Sequence, residues 1–348
     1  MRPRHRAVLV GCGPRGWAHA QGLLANPGRF ELVAICDRDE ARARALGDRL
    51  GIARRYADAE RMLEAERPAV LCFATPPAVR LELVELGIRH GVRAIAFEKP
   101  LALSLAEARR IVEHCAAAGV KGVVCHQLKH GAHWRRLQAL VAAGDIGEIR
   151  LIHATGRPSM LRVGTHLVDA MLWLAGGARA TSALGRARGR EAYREDHPCP
   201  DHVAGIIRFE SGAEGVLEVG TGAPRHLAED RFWEDVAVTV HGTDGYARVV
   251  LGDGWQVVTR RSGTHRASGP ADRSPQEGRH LRLLADWLDD PARVHPSGLA
   301  VGYHGFEILM ALVLSSLESR EVKLPIDDPP EAILEALRER LGDPPGGS

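Results

Sequence analysis

Two places in this chain combine residue type and spacing in a way that points to chemistry. One is Glu98-Lys99-Pro100, which follows the short apolar run Val92-Arg93-Ala94-Ile95-Ala96-Phe97. A lysine at the exit of a buried strand has a buried stem and an ammonium group facing the crevice at the strand ends. In open parallel sheets ligands bind in that crevice. Taken alone, a solvated lysine is the simpler reading. The other place is Gly11-Cys12-Gly13-Pro14-Arg15-Gly16, a G-x-G-x-x-G turn between an apolar strand and a helix. There Gly11 permits a tight turn, Gly13 lets the backbone approach a pyrophosphate, and Gly16 allows close helix–strand packing. The helix N-terminus offers unpaired N–H groups to phosphates, and Arg15 can add a charge-assisted bond.

Asp37 stands 21 residues after Gly16, at the end of the second strand. Its carboxylate suits the ribose hydroxyls of the adenosine half of NAD and repels a 2′-phosphate. Arg38 can stack on adenine or pair with that phosphate, which leaves NADP open. Thr75-Pro76-Pro77 closes a further apolar strand and is expected to wall the nicotinamide side; a rigid turn without ligand contact is the alternative. His126-Gln127 ends the sixth strand at the same crevice, so His126 is a candidate cofactor contact and Gln127 a candidate substrate contact, with packing the alternative.

These residues need a frame. Residues 1–127 alternate strand and helix patterns, which implies a doubly wound parallel sheet, an α/β Rossmann domain. The capping box Ser104-Leu105-Ala106-Glu107 opens one of its helices. Residues 128–348 change rhythm. Helices are expected over 132–143 and 165–175, then consecutive strands over 202–209, 213–219, 235–241, 246–251 and 255–259. That order implies an α+β domain with a large, mostly antiparallel open sheet. Residues 261–278 read as a loop, 280–288 and 301–319 as helices able to pack back on the first domain, and 335–348 as a loose tail.

The bulk numbers exclude some classes. Of 348 residues 45% are hydrophobic and 26% charged, with a formal net charge of +2. That balance gives no reason to expect nucleic acid or a membrane as partner, and the arginine excess reads as compositional bias rather than a basic patch. No stretch is expected to span a bilayer, and no targeting signal is visible. The six cysteines form no C-x-x-C pair, which suits a reducing, cytoplasmic setting. His197-Pro198-Cys199-Pro200-Asp201-His202 is metal-like in composition but fits a rigid loop better, so no metal is expected. Lys129, His130 and His133 read as a solvated helix start, and His153, Arg157 and Tyr193 as candidates for the mouth of the cleft.

Gly11 to Gly16, Asp37, Ala74-Thr75-Pro76-Pro77, Glu98-Lys99-Pro100 and Gly164-Thr165-His166-Leu167-Val168-Asp169 together resemble the glucose–fructose oxidoreductase/inositol dehydrogenase (Gfo/Idh/MocA) family over about residues 5–320. The resemblance implies an NAD(P)-dependent oxidoreductase acting on a secondary hydroxyl of a sugar, sugar acid or cyclitol. It places Lys99 beside the nicotinamide with a hydrogen bond to the reacting hydroxyl, and Glu98 in the cofactor site. The bond before Pro100 is a candidate cis peptide. His166 becomes the proton acceptor, at a helix start whose positive end lowers its pKa. Asp169, one turn on, orients His166 or binds substrate. Inositol-dehydrogenase-like members carry an aspartate four residues before the histidine. This chain has Arg162 there, which leaves three readings: a ligand for an acidic substrate group, a side chain pointing to solvent, or a partner of an acid elsewhere. The altered relay keeps open a lyase or glycoside hydrolase working by transient oxidation, and a cofactor-binding protein without activity is the third alternative. The apolar alternation of Val203, Ile206, Val216 and Leu217 suggests homodimers or homotetramers formed through the open sheet.

Overall fold

The computed structural model describes residues 4–260 and 265–342. The chain divides into two compact units, and the division is not at one point: residues up to Ala102, Glu107–His130 and Pro275–Tyr303 form the first, while Leu103–Ala106, Gly131–Ser274 and the chain from His304 form the second.

The first unit begins with β1 (His5–Val10), α1 (Pro14–Leu24), β2 (Phe30–Cys36), α2 (Glu40–Leu50), β3 (Arg55–Tyr56) and α3 (Ala59–Glu66). It continues with β4 (Val70–Phe73), α4 (Arg80–Arg89), β5 (Ala94–Glu98), α5 (Leu105–Ala117) and β6 (Lys121–Cys125). All neighbouring strands are parallel, in the order β3-β2-β1-β4-β5-β6. That is the doubly wound dinucleotide order, and it puts the ends of β1, β2, β4 and β5 on one edge of the sheet. The strands are continuous apolar runs because helices cover both faces: Leu71, Cys72, Phe73, Ile95, Ala96 and Phe97 are all fully buried. Asp39 and Asp58 cap α2 and α3 by accepting backbone N–H groups. Lys129, His130 and His133 are not solvated, as the sequence suggested, but buried, and the Lys129 ammonium donates to the Pro296 carbonyl. A cavity of about 420 Å³ is lined by Arg4, Arg6, Arg67 and Arg93, at the strand starts, away from the glycine turn.

The second unit contains α6 (Ala132–Ala142), β7 (Ile149–Gly156), α7 (Thr165–Leu174), β8 (Ala180–Arg188), β9 (His202–Phe209), β10 (Glu214–Gly220), β11 (Val236–Gly242), β12 (Gly245–Val250), β13 (Gly254–Thr259) and β14 (His265–Pro270). Next comes α8 (Glu277–Asp289), which belongs to the first unit, where Gly22 of α1 gives it room: a Cβ there would lie 2.8 Å from Glu277. The chain ends with α9 (Leu299–Glu318), β15 (Val322–Lys323) and α10 (Ile333–Arg340). The nine strands run β14-β13-β12-β11-β7-β10-β9-β8-β15, antiparallel except β7 with β10.

Three expectations fail here. Residues 265–270 are a strand rather than loop, because the edge of β13 supplies the ladder that a polar, glycine-rich segment lacks on its own; residues 261–264 lie outside the described residues. The tail expected from residue 335 is helical to Arg340, with Leu334 and Leu337 buried, and residues 343–348 lie outside the description. The helix α9 is long and apolar enough to cross a membrane, though most of it is buried in the protein, as a core helix is.

Glycines let helices approach the sheet closely. A Cβ at Gly185 or Gly205 would strike Leu312 of α9, and one at Gly215 would strike Met171 of α7. Val203 and Leu217 therefore face this covered side and are fully buried, contrary to the expectation that they form an outer face. Their neighbours do face outward: Leu184 and Ile206, paired across β8 and β9, are 48% and 41% exposed.

Candidate active site

The glycine turn of the first unit is shaped from both sides. Gly11 has φ +92°, and a Cβ on it would sit 2.5 Å from the Ala74 carbonyl oxygen. A Cβ on Gly16 would sit 1.9 Å from the Gly11 oxygen. Gly13, in contrast, has nothing within 4 Å of where its Cβ would be, so its backbone opens to space. Pro14 takes the first helical position, where its missing N–H costs nothing. Cys12 is buried, and its backbone N–H donates to Asp37 Oδ2 at 2.7 Å; the Asp39 N–H donates to Oδ1 at 2.9 Å. Two anchors fix the carboxylate and leave further lone pairs for ligand hydroxyls. Gly11, Gly13, Asp37, Arg38, Thr75 and Pro76 line one cavity of about 460 Å³. Thr75 Oγ1 there is buried with no hydrogen-bond partner among the described residues. Pro77 is buried and begins a short 3-10 turn. The open glycine, the anchored acid and the orphaned hydroxyl fit a dinucleotide.

Arg15 is tied to two acids: its guanidinium donates to Glu98 Oε1, by Nε at 3.0 Å and Nη2 at 2.8 Å, and also reaches Glu277 at 3.0 Å. His19 Nε2 meets the same Glu98 oxygen at 2.9 Å. Glu98 thus anchors the strand end. Burial alone would raise its pKa, but the bonds from His19 and Arg15 outweigh it and hold the carboxyl well below the usual range. The Lys99-Pro100 peptide bond is cis. Behind it, Arg80 is only 1% exposed and donates from Nη2 to the Lys99 carbonyl at 3.0 Å. Burial pushes this guanidinium down to about 9, and its Nε and Nη1 have no hydrogen-bond partner among the described residues. Arg80 lies 6.0 Å from the Phe97 ring, which stacks on Phe73 at 5.0 Å. His126 is buried at the end of β6, and Gln127 begins a 3-10 turn.

Two clusters in this unit resemble metal sites by composition, and neither has suitable donors. In His130, His280 and His295 the last ring is used up: Nδ1 accepts from Ser297 N–H at 2.9 Å, and Nε2 donates to the His280 carbonyl at 3.0 Å. In His19, Glu98 and Cys125 the Arg15 guanidinium already holds the cation's place, and burial pushes the Cys125 thiol far up.

In the second unit, one wide π-type turn, Met160–Gly164, runs directly into α7. Such turns are frequent at functional sites. The apolar side chains of α7 pack on β7, β10 and β11, and His166 and Asp169 are buried polar residues one turn apart on this helix. A buried polar pair in an otherwise apolar helix costs stability unless its groups are hydrogen-bonded. Arg162 pairs with two acids: Nε donates to Glu195 at 2.7 Å and Nη2 to Asp196 at 2.8 Å. Of the readings its sequence position left, the structure shows the pair with acids elsewhere in the chain. His153 pairs with Glu218 at 3.0 Å on the face of β7 away from α7, Arg157 pairs with Asp230 at 3.0 Å, and Tyr193 is buried.

The comparisons with known proteins agree with this geometry. Residues 5–126 match the oxidoreductase family with an NAD-binding Rossmann fold, and residues 155–248 match the GFO/IDH/MocA C-terminal domain. D-apiose dehydrogenase of Paraburkholderia graminis is 31% identical over 71% of this chain and 68% of its own length. The chain belongs to the Gfo/Idh/MocA family. The scyllo-inositol 2-dehydrogenase (NAD(+)) of Bacillus subtilis is 25% identical over 70% of this chain and 73% of its own. An Agrobacterium radiobacter oxidoreductase solved with NAD+, L-tartaric acid and magnesium shares the fold, with TM-score 0.80 at 21% identity over 92% of this chain and 98% of its own. The first unit is an NAD-binding Rossmann domain, and this Gfo/Idh/MocA chain is an NAD-dependent oxidoreductase. What its sequence did not reveal are the partners: His19, Glu277, Arg80, Glu195, Asp196 and Trp233. No local motif marks them, because each acts through contacts distant in sequence.

Proposed function

We propose that the protein oxidises a secondary hydroxyl of a sugar or cyclitol, with NAD as hydride acceptor. The observation that carries this reading is Lys99 at the end of a fully buried strand in the NAD-binding unit, its main chain clamped by Glu98 and Arg80. The relatives named for apiose, inositol and glucoside oxidation support the substrate class. Gly11, Gly13, Pro14, Gly16, Asp37 and Thr75 would hold NAD, which supplies the hydride-accepting ring when bound.

The chain's own residues do the rest. Lys99 polarises the carbinol oxygen. His166 takes the hydroxyl proton, and Asp169 keeps its imidazole in the orientation that accepts. A positioned acid–base group of this kind is worth about 10²- to 10⁴-fold in rate. We also infer association of copies through the outer sheet face around Leu184 and Ile206, and a reducing cytosolic setting, supported by six buried, free cysteines. The test is a panel of aldoses, polyols and cyclitols with NAD, followed by NADH absorbance. Stoichiometric NADH with at least one neutral polyol supports the reading; no NADH with any member overturns it.

A further inference from the structure

Arg162 precedes His166 by four residues, and the turn carrying it runs straight into α7. Residues at this spacing on a helical run share a face, roughly 5–6 Å apart at Cβ. A substrate held by His166 therefore lies within reach of whatever charge surrounds Arg162. That charge is the reverse of what a lone arginine would give. Glu195 and Asp196 both bond the guanidinium, and Asp196 also meets His197 Nδ1 at 2.8 Å. Burial works against the Asp196 carboxylate, but His197 and Arg162 outweigh it and keep its pKa low. One guanidinium thus faces two carboxylates. The loop bearing them is fixed: Cys199 is fully buried, and Asp201 Oδ1 accepts the Ala192 N–H at 2.6 Å.

The same arginine lies 5.6 Å from the Trp233 ring centroid. Trp233 is 59% exposed, the most exposed aromatic among the large hydrophobic residues, and Phe232 props it edge-on at 5.4 Å. The indole is thus an amphipathic ring open to solvent beside a charge cluster. Its open ring offers an apolar wall to the C–H face of a sugar, while Glu195 and Asp196 accept hydrogen bonds from hydroxyl or ammonium groups.

We propose that Arg162, Glu195, Asp196 and Trp233 form a specificity wall that selects neutral or amino-bearing sugars and rejects sugar acids. The proposal rests on the oxidoreductase reading above and narrows its substrate class. A substrate carboxylate would meet two carboxylates balanced by a single guanidinium that already bonds both, so the local charge it approaches is net negative and like-charge juxtaposition disfavours it. Trp233 supplies the stacking that orients the ring.

The test uses the full-length protein with NAD and matched sets: glucose, glucosamine and glucuronate, then galactose, galactosamine and galacturonate. In each set that is turned over, kcat/KM for the neutral or amino sugar should exceed that for the uronate by about 30-fold or more. The double variant Glu195→Gln/Asp196→Asn, whose exposed side chains can change without disturbing the core, frees Arg162 and should narrow that ratio at least about tenfold. Trp233→Ala should raise KM for the preferred sugar, with NAD affinity unchanged. A wild type that prefers uronates, or a double variant with the same ratio, overturns the wall and leaves the oxidoreductase reading standing. No turnover in any set, or with the cyclitols of the earlier panel, overturns both.

Discussion

Lys99 and Arg162 are both basic residues at points where the chain leaves or enters a regular element, and their surroundings are opposite. Around Lys99 the charges serve the main chain. Glu98 is tied to Arg15 and His19, and Arg80 holds the lysine carbonyl, so the partners fix the strand end while the lysine side chain remains half-buried. Around Arg162 the charges serve the side chain itself, and two acids hold it. The first unit thus fixes the main chain at its lysine, and the second fixes the side chain of its arginine.

The largest break in that comparison should come at the proton acceptor. His166→Ala is expected to lower kcat by about 10²- to 10⁴-fold. NAD affinity, measured by fluorescence titration, should stay within about twofold of wild type, given that the residue lies in the other unit from the glycine turn. Equal losses in both would place His166 in folding rather than catalysis.

Next comes the anchor. Glu98→Gln should destabilise the protein by about 2 kcal/mol, less than the ~3–5 kcal/mol of a fully buried pair, because Arg15 is partly exposed and keeps Glu277. The pH dependence has a definite sign. The Glu98 pKa is depressed in the folded state, so its stabilisation is present above the unfolded carboxyl value of about 4.3 and is lost as pH falls below it. Denaturant titrations should show a steeper fall in stability below about pH 4.5 for wild type than for the variant. Parallel curves would mean that Glu98 is not held ionised.

The smallest effect should come from the outer sheet face. Ile206→Glu places a charge in the exposed apolar pair with Leu184 and should convert oligomers to monomers in light scattering. Its melting temperature should shift by only a few degrees, since surface changes are usually within about 0.5 kcal/mol. An unchanged mass would remove this face as an interface.

The difference between the two regions also explains what was legible in the sequence. The glycine turn, Asp37 and the Lys99 strand exit are local patterns, in which backbone sterics and a helix terminus dictate residue type within a few positions. The parallel sheet followed from alternation of strand and helix. Strand β8 escaped notice because Ala180–Arg188 mixes small and charged residues and becomes a strand through its neighbour β9. Strand β14 was hidden in the same way. Arg15 looked like a phosphate ligand because its motif position suggests one, while its partners Glu98 and Glu277 lie 83 and 262 residues away. The acids that pair with Arg162 could not be named, because Glu195 and Asp196 arrive from a loop more than thirty residues on. Arg80 gave no signal, since a buried arginine reads in sequence as one more exposed charge on a helix.

The most direct test of the account is Lys99→Met, assayed for NAD binding and for hydride transfer in a single turnover with a neutral sugar or cyclitol that wild type oxidises. The account predicts NAD affinity within about threefold of wild type and transfer slowed by about 10³-fold or more. Transfer at the wild-type rate, with NAD bound, would contradict it.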